Sequence, residues 1–99
     1  MVIENKYGKV VLENEVYEQI AEIAALKVKG VYPNKKNDFI ACKFKDDNLS
    51  VKVNIKIQQD LDVVKTCSKI QNRIRESILE MCGIDTEDIN IDVLGFVKE

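Results

Sequence analysis

The sequence predicts an α+β domain in which two helices pack on one face of a four-stranded sheet. Three observations carry that expectation. Val51, Val53, Ile55 and Ile57 alternate with Lys52, Asn54, Lys56 and Gln58, the period-two pattern of a strand with one buried face. Val63, Cys67, Ile70, Ile74, Ile78 and Met81 recur at spacings of three and four, the stripe of a long amphipathic helix. Gly30 and Gly83 each fall just beyond a helical run, where a left-handed residue ends a helix. The elements then read strand, helix, strand, strand, helix, strand, which matches a ferredoxin-like layout.

The elements follow in order along the chain. A first strand is expected over Gly8 to Leu12. Asn14 is placed to cap a helix over Glu15 to Val28, and Glu15 and Glu18 favour its positive N-terminal end. Val16, Ile20, Ile23, Ala24 and Lys27 fall on the predicted core side, with the lysine at its boundary and Ala25 and Leu26 opposite. A hairpin follows. With Asp47 and Asn48 at its tip, Phe44 opposes Val51, Cys42 opposes Val53 and Ile40 opposes Ile55, so all six apolar residues share a face. In that register Lys43 faces Lys52 on the other side. Asp60 or Asp62 can cap the second helix, over Leu61 to Cys82. The last strand is expected over Asp88 to Phe96, with Ile89, Ile91 and Val93 on one face.

The 99 residues make a single domain, 1–99, large enough for one hydrophobic core. Fifteen Lys plus Arg against 17 Asp plus Glu leave a net charge of −2, too balanced for a strongly basic nucleic-acid binder. The sequence has no His, which removes His-based acid–base catalysis, Ser–His and Cys–His nucleophiles and His-containing metal sites. No Gly-rich phosphate loop or metal-ligand spacing is present, so no catalytic, cofactor-binding or metal residue is assigned. The N-terminal residues lack the apolar run of a signal peptide, and no window is apolar enough to cross a membrane. Cys42, Cys67 and Cys82 have no C-x-x-C spacing and read as reduced core thiols of a cytoplasmic protein. Asp85, Glu87 and Asp88 read as turn and cap residues.

Three segments resemble the alkaline shock protein, or envelope stress response, family of Gram-positive bacteria. They are Gly8-Lys9-Val10-Val11-Leu12 leading to Gly30-Val31, then Val51 to Ile57, then Ile70-Gln71, Ile74, Ile78, Met81 and Gly83 followed by Ile89 to Val93. The resemblance implies a non-enzymatic cytoplasmic protein that self-associates as a homo-oligomer. It also implies an association with the envelope, held peripherally at the membrane through an anchored protein partner.

The residues themselves suggest one candidate surface for a partner or an anion. It comprises Lys43, Lys45, Lys52 and Lys56 on the outward sheet face, and Lys65, Lys69 and Arg73 along the second helix. The expectation is thus an interaction protein, with a small RNA- or anion-binding module as the alternative. The outward face has no aromatic residue for base stacking, so nucleic acid is the weaker ligand.

Overall fold

The structure, a computed structural model, describes residues 2–5, 8–11, 13–35, 38–46 and 48–98, with side chains from residue 13 onward. In chain order the elements are β1 (Val2–Asn5), β2 (Gly8–Val11), α1 (Asn14–Leu26), β3 (Val31–Pro33), β4 (Ile40–Lys45), β5 (Asn48–Gln58), α2 (Val63–Cys82) and β6 (Asp88–Val97). Leu12 and Asp47, which the sequence places at the end of the first strand and at the hairpin tip, lie outside the described residues.

The predicted class holds: two helices cover one face of a four-stranded α+β sheet. Its spine is β5. Val51, Val53, Ile55 and Ile57 are all fully buried, and each such side chain contributes about 1.5–3 kcal/mol relative to exposure. Along one side, β6 runs parallel to β5 after the α2 crossover. The other side is shared: β4 pairs with the first half of β5, and β3 with residues 55–57. Pro33 closes the β3 ladder, where its missing N–H does least harm. Asn54 spans the junction, receiving Asn34 N–H on its carbonyl and donating its own N–H to Phe39 O.

Both sides of β5 are therefore occupied, which explains where the predicted first strand goes. β2 pairs antiparallel with β1 in a separate two-stranded sheet. The four sheet strands are β3 to β6, with the short β3 unforeseen.

The hairpin keeps its predicted face but moves its register by two residues. Cys42 opposes Val51, Ile40 opposes Val53 and Phe44 opposes Leu49. Asn48 pairs with Lys45, so the turn sits one residue earlier than expected, and Asp46 takes the left-handed conformation at φ +52°. Shifting by two preserves every inward side chain. It also separates the expected lysine pair: Lys43 faces Ser50, and Lys52 faces Ala41.

α1 is rotated from its predicted orientation. Tyr17, Ala21, Ala24, Ala25 and Val28 are buried, while Ile23 stays 59% exposed and Val16 37%. The helix carries two apolar stripes, and the one rich in alanine wins because small side chains let it approach β4 and α2 closely. Tyr17 supplies the volume those alanines lack, and its ring meets Phe44 edge-on at 5.2 Å. The residue before the helix is Glu13, with no side-chain cap, and Asn14 is its first helical residue.

α2 behaves as its sequence indicates at both ends. Asp62 accepts a hydrogen bond from Lys65 N–H at 3.0 Å, and Gly83 ends the helix at φ +71°. Ile70, Ile74 and Ile78 are fully buried, but Met81 at the last turn projects into solvent.

The Tyr17 hydroxyl is buried without a hydrogen-bond partner among the described residues, and burial, with a smaller effect from Cys82, pushes its pKa up. An unsatisfied buried hydroxyl costs about 1–3 kcal/mol. Tyr17→Phe keeps the ring and is expected to raise stability by about 1 kcal/mol in urea denaturation. A loss of stability would show instead that the hydroxyl has a partner.

Candidate functional site: a cationic groove and a bare strand edge

The outward sheet face carries the lysines the sequence singles out, but acids sit among them. Lys52 Nζ lies 3.6 Å from Asp92 on neighbouring β6. Ser50 donates to Asp88 at 2.6 Å, and Asn90 Nδ2 donates to the same carboxylate at 2.9 Å. Those two hydrogen bonds hold the Asp88 pKa below its usual range. Lys43 and Lys45 are exposed on β4, and Lys56, half-buried, faces Tyr32. The outward face thus does carry an aromatic residue, contrary to the expectation that it had none, because the unforeseen β3 joins the sheet beside Lys56. The face is a mixed polar surface.

The helical cations divide differently. Lys65 sits in the capped first turn of α2, one turn before Lys69, and does not line the groove that the next two cations form. Lys69 and Arg73, one turn apart, form a wall of a groove of about 630 Å³. Opposite them the chain leaving α1 brings Lys27 and Lys29. Val28, Leu61 and Thr66 line the same groove, Val28 and Thr66 buried and Leu61 partly so. Thr66 spends its hydroxyl on Asp62 O, at 2.7 Å. Among the described residues, four cations thus line one groove against a single carboxylate, Glu76. None of the four makes an ion pair among the described residues.

Lys27 and Lys29 escaped the sequence reading as site residues. The only local signal was Lys-Val-Lys-Gly at a helix end, where basic residues also suit the helix dipole. Their meeting with α2 depends on the tertiary fold. Gly30 makes that meeting tight. At φ +82° it turns the chain into β3, and a side chain there would collide with Leu61 Cδ1.

The second surface is the free edge of β6. Among the described residues this ten-residue strand hydrogen-bonds as a ladder only to β5. Gln71 Nε2 covers one carbonyl near its start, that of Ile89, at 3.0 Å. Leu94 interrupts the ladder between the Val93–Ile55 and Gly95–Lys56 pairs as a bulge. Leu94 is 53% exposed and Phe96 57%.

The acids after α2 have structural partners. Arg75 grips Asp85 with two hydrogen bonds, at 2.6 and 2.9 Å, and lies 3.6 Å from Glu87. The Arg75 hydrogen bonds hold the Asp85 pKa down. A depressed carboxylate contributes stability above its unfolded pKa and loses it as pH falls through the folded value. The same sign applies to Asp88. Both groups are exposed, so the effect is screened. Thr86, buried, donates to Leu49 O at 2.6 Å and ties this loop to the start of β5.

The thiols are suppressed rather than activated. Burial pushes Cys42 up to about 12, with Glu18 adding to it. Cys67 and Cys82, half-buried, are also raised by burial. A nucleophilic thiol needs the opposite shift.

Fold and surfaces together define a small α+β domain with a cationic groove on its helical side and an open parallel edge strand. It is similar to a Bacillus subtilis (strain 168) protein described as uncharacterized protein YqhY. The two are 27% identical over 103 residues, covering 89% of this chain and 76% of YqhY. No protein-family model matches the chain, and no solved structure matches it.

These findings overturn the expected alkaline shock kinship: the relative is uncharacterized, and no family model supports the resemblance. The segments that carried it are apolar alternation, a helical stripe and two glycines placed beyond helical runs, which many α+β domains share. Of the two, only Gly83 ends its helix, since α1 already stops at Leu26. Envelope stress and the anchored membrane partner rested on that kinship alone and go with it. No helix among the described residues is long and apolar enough to cross a membrane.

Proposed function

We propose that this chain is a non-enzymatic interaction protein of the cytoplasm that self-associates through the free edge of β6. The observation that supports this is a ten-residue edge strand, paired on one side only among the described residues, with two half-exposed apolar side chains near its end. An edge of this length offers a row of backbone donors and acceptors to another strand. Proteins that must stay monomeric protect such edges with lysine or proline, and β6 has neither. Its bulge and its two aspartates, Asp88 and Asp92, restrict the register without closing the edge.

The strand is also compatible with itself. Antiparallel pairing about Ile91 sets Ile89 across from Val93, Asn90 across from Asp92 and Asp88 across from Leu94, so the central apolar pair meets and no two carboxylates oppose. That arrangement has two-fold symmetry and joins two sheets into one. The alternative, anion capture on the outward sheet face, is less well supported because Asp88 and Asp92 sit among its lysines.

Light scattering coupled to size exclusion tests the proposal. The mass is expected to rise from monomer towards dimer with concentration, and Leu94→Asp, which sets a second carboxylate across from Asp88, is expected to hold the chain at the monomer mass. A strict monomer up to about 300 μM, a range in which weak dimers still form, overturns the reading.

A further inference from the structure

The groove between the end of α1 and the flank of α2 has no role in edge pairing. We propose that it is a binding site for a small molecule bearing two or more phosphate groups. Its walls bring together Lys27, Lys29, Lys69 and Arg73 from two separate stretches of chain, in a protein whose overall charge is negative. Like charges one helical turn apart, such as Lys69 and Arg73, destabilise a helix by a few tenths of a kcal/mol. Gathering two more cations opposite them adds to that repulsion, and among the described residues Glu76 is the single acid lining the groove to offset it.

The helix dipole accounts for Lys27 and Lys29 at the end of α1, but not for Lys69 and Arg73 in the middle of α2. A polyanion relieves all four at once. Arg73 supplies a planar fork for two phosphate oxygens, and the lysines supply mobile point charges.

The size and surroundings choose among anions. About 630 Å³ lies within the usual range for small-molecule sites. A nucleic-acid backbone needs a continuous basic track, and the lysines of the sheet are interrupted by Asp88 and Asp92. Val28 and Leu61 add an apolar strip beside the cations, suited to the non-phosphate part of the ligand. The backbone at Gly30 sets this geometry, because Leu61 rests where a side chain at position 30 would lie.

Calorimetric titration of the full chain with pyrophosphate tests the site, with adenosine triphosphate and a hexaglutamate peptide as parallel probes. Saturable binding of pyrophosphate or the nucleotide is expected. Lys69→Gln with Arg73→Gln is expected to weaken it at least about tenfold, since two charge-assisted contacts are lost. Lys43→Gln with Lys52→Gln, on the sheet, is expected to leave it within about twofold. Circular dichroism confirms that both variants fold; a groove pair that fails to fold is replaced by Lys27→Gln with Lys29→Gln, for which the same loss is expected. No saturable binding of either phosphate probe at about 5 mM overturns the proposal, as does equal weakening by the two pairs. Tighter binding of hexaglutamate than of either phosphate compound overturns the ligand class.

Discussion

Ile55→Ala is expected to destabilise the domain by about 4 kcal/mol. Ile55 is fully buried at the middle of the sheet, aligned with Pro33 of β3 on one side and Val93 of β6 on the other. Removing three methyl and methylene carbons there forfeits their transfer energy and leaves a cavity that three hydrogen-bonded strands cannot collapse to fill. A domain of this size has a total stability of about 5–15 kcal/mol, so the variant keeps only part of its margin. The thermal midpoint falls by roughly 20 °C. Ile23→Ala, on the exposed side of α1, is the control and changes stability by about 0.5 kcal/mol or less. Urea denaturation of both variants checks the pair; equal effects would place the core elsewhere.

Gly30→Ala is expected to lose about 3 kcal/mol, from two separable causes. The backbone at φ +82° disfavours any L side chain, and the new methyl meets Leu61 Cδ1 and the Cβ of Gln58. Gly83 isolates the first cause. It has φ +71° but open space around its missing side chain, so Gly83→Ala carries only the backbone penalty, about 1 kcal/mol. In Leu61→Ala the collision is gone. Adding Gly30→Ala to that background is then expected to cost about as much as Gly83→Ala, which a double-mutant cycle reads directly. Additive losses would mean that Leu61 and position 30 do not meet.

Much of the fold was legible because it depends on local pattern. The alternation from Val51 to Ile57 fixes both the strand and its buried face, and the Asp62 cap and Gly83 stop bound α2 from within the sequence. The hairpin was legible only up to its face. Asp46, Asp47 and Asn48 are all turn formers, and registers two residues apart bury the same side chains, so hydrophobic pattern has no means of choosing between them.

The orientation of α1 was hidden for another reason. Val16 and Ile23 outrank alanines on any hydrophobicity count, whereas close approach to β4 and α2 favours Ala21, Ala24 and Ala25. The groove illustrates the same limit at the level of function. Lys69 and Arg73 stand out as a helical stripe, but their partners Lys27 and Lys29 lie some forty residues away in sequence and meet them only across the packed helices. The β6 edge depended on knowing that β5 is paired on its other side by both β3 and β4.

Self-association through β6 is tested most directly by amide hydrogen exchange at two protein concentrations. If the free edge pairs with a second copy, amides within Asp88–Val97 exchange more slowly at high concentration, while those of β4 keep their rates. Exchange in β6 that does not change with concentration, in a sample whose mass does increase, would show that association uses another surface and would contradict the account.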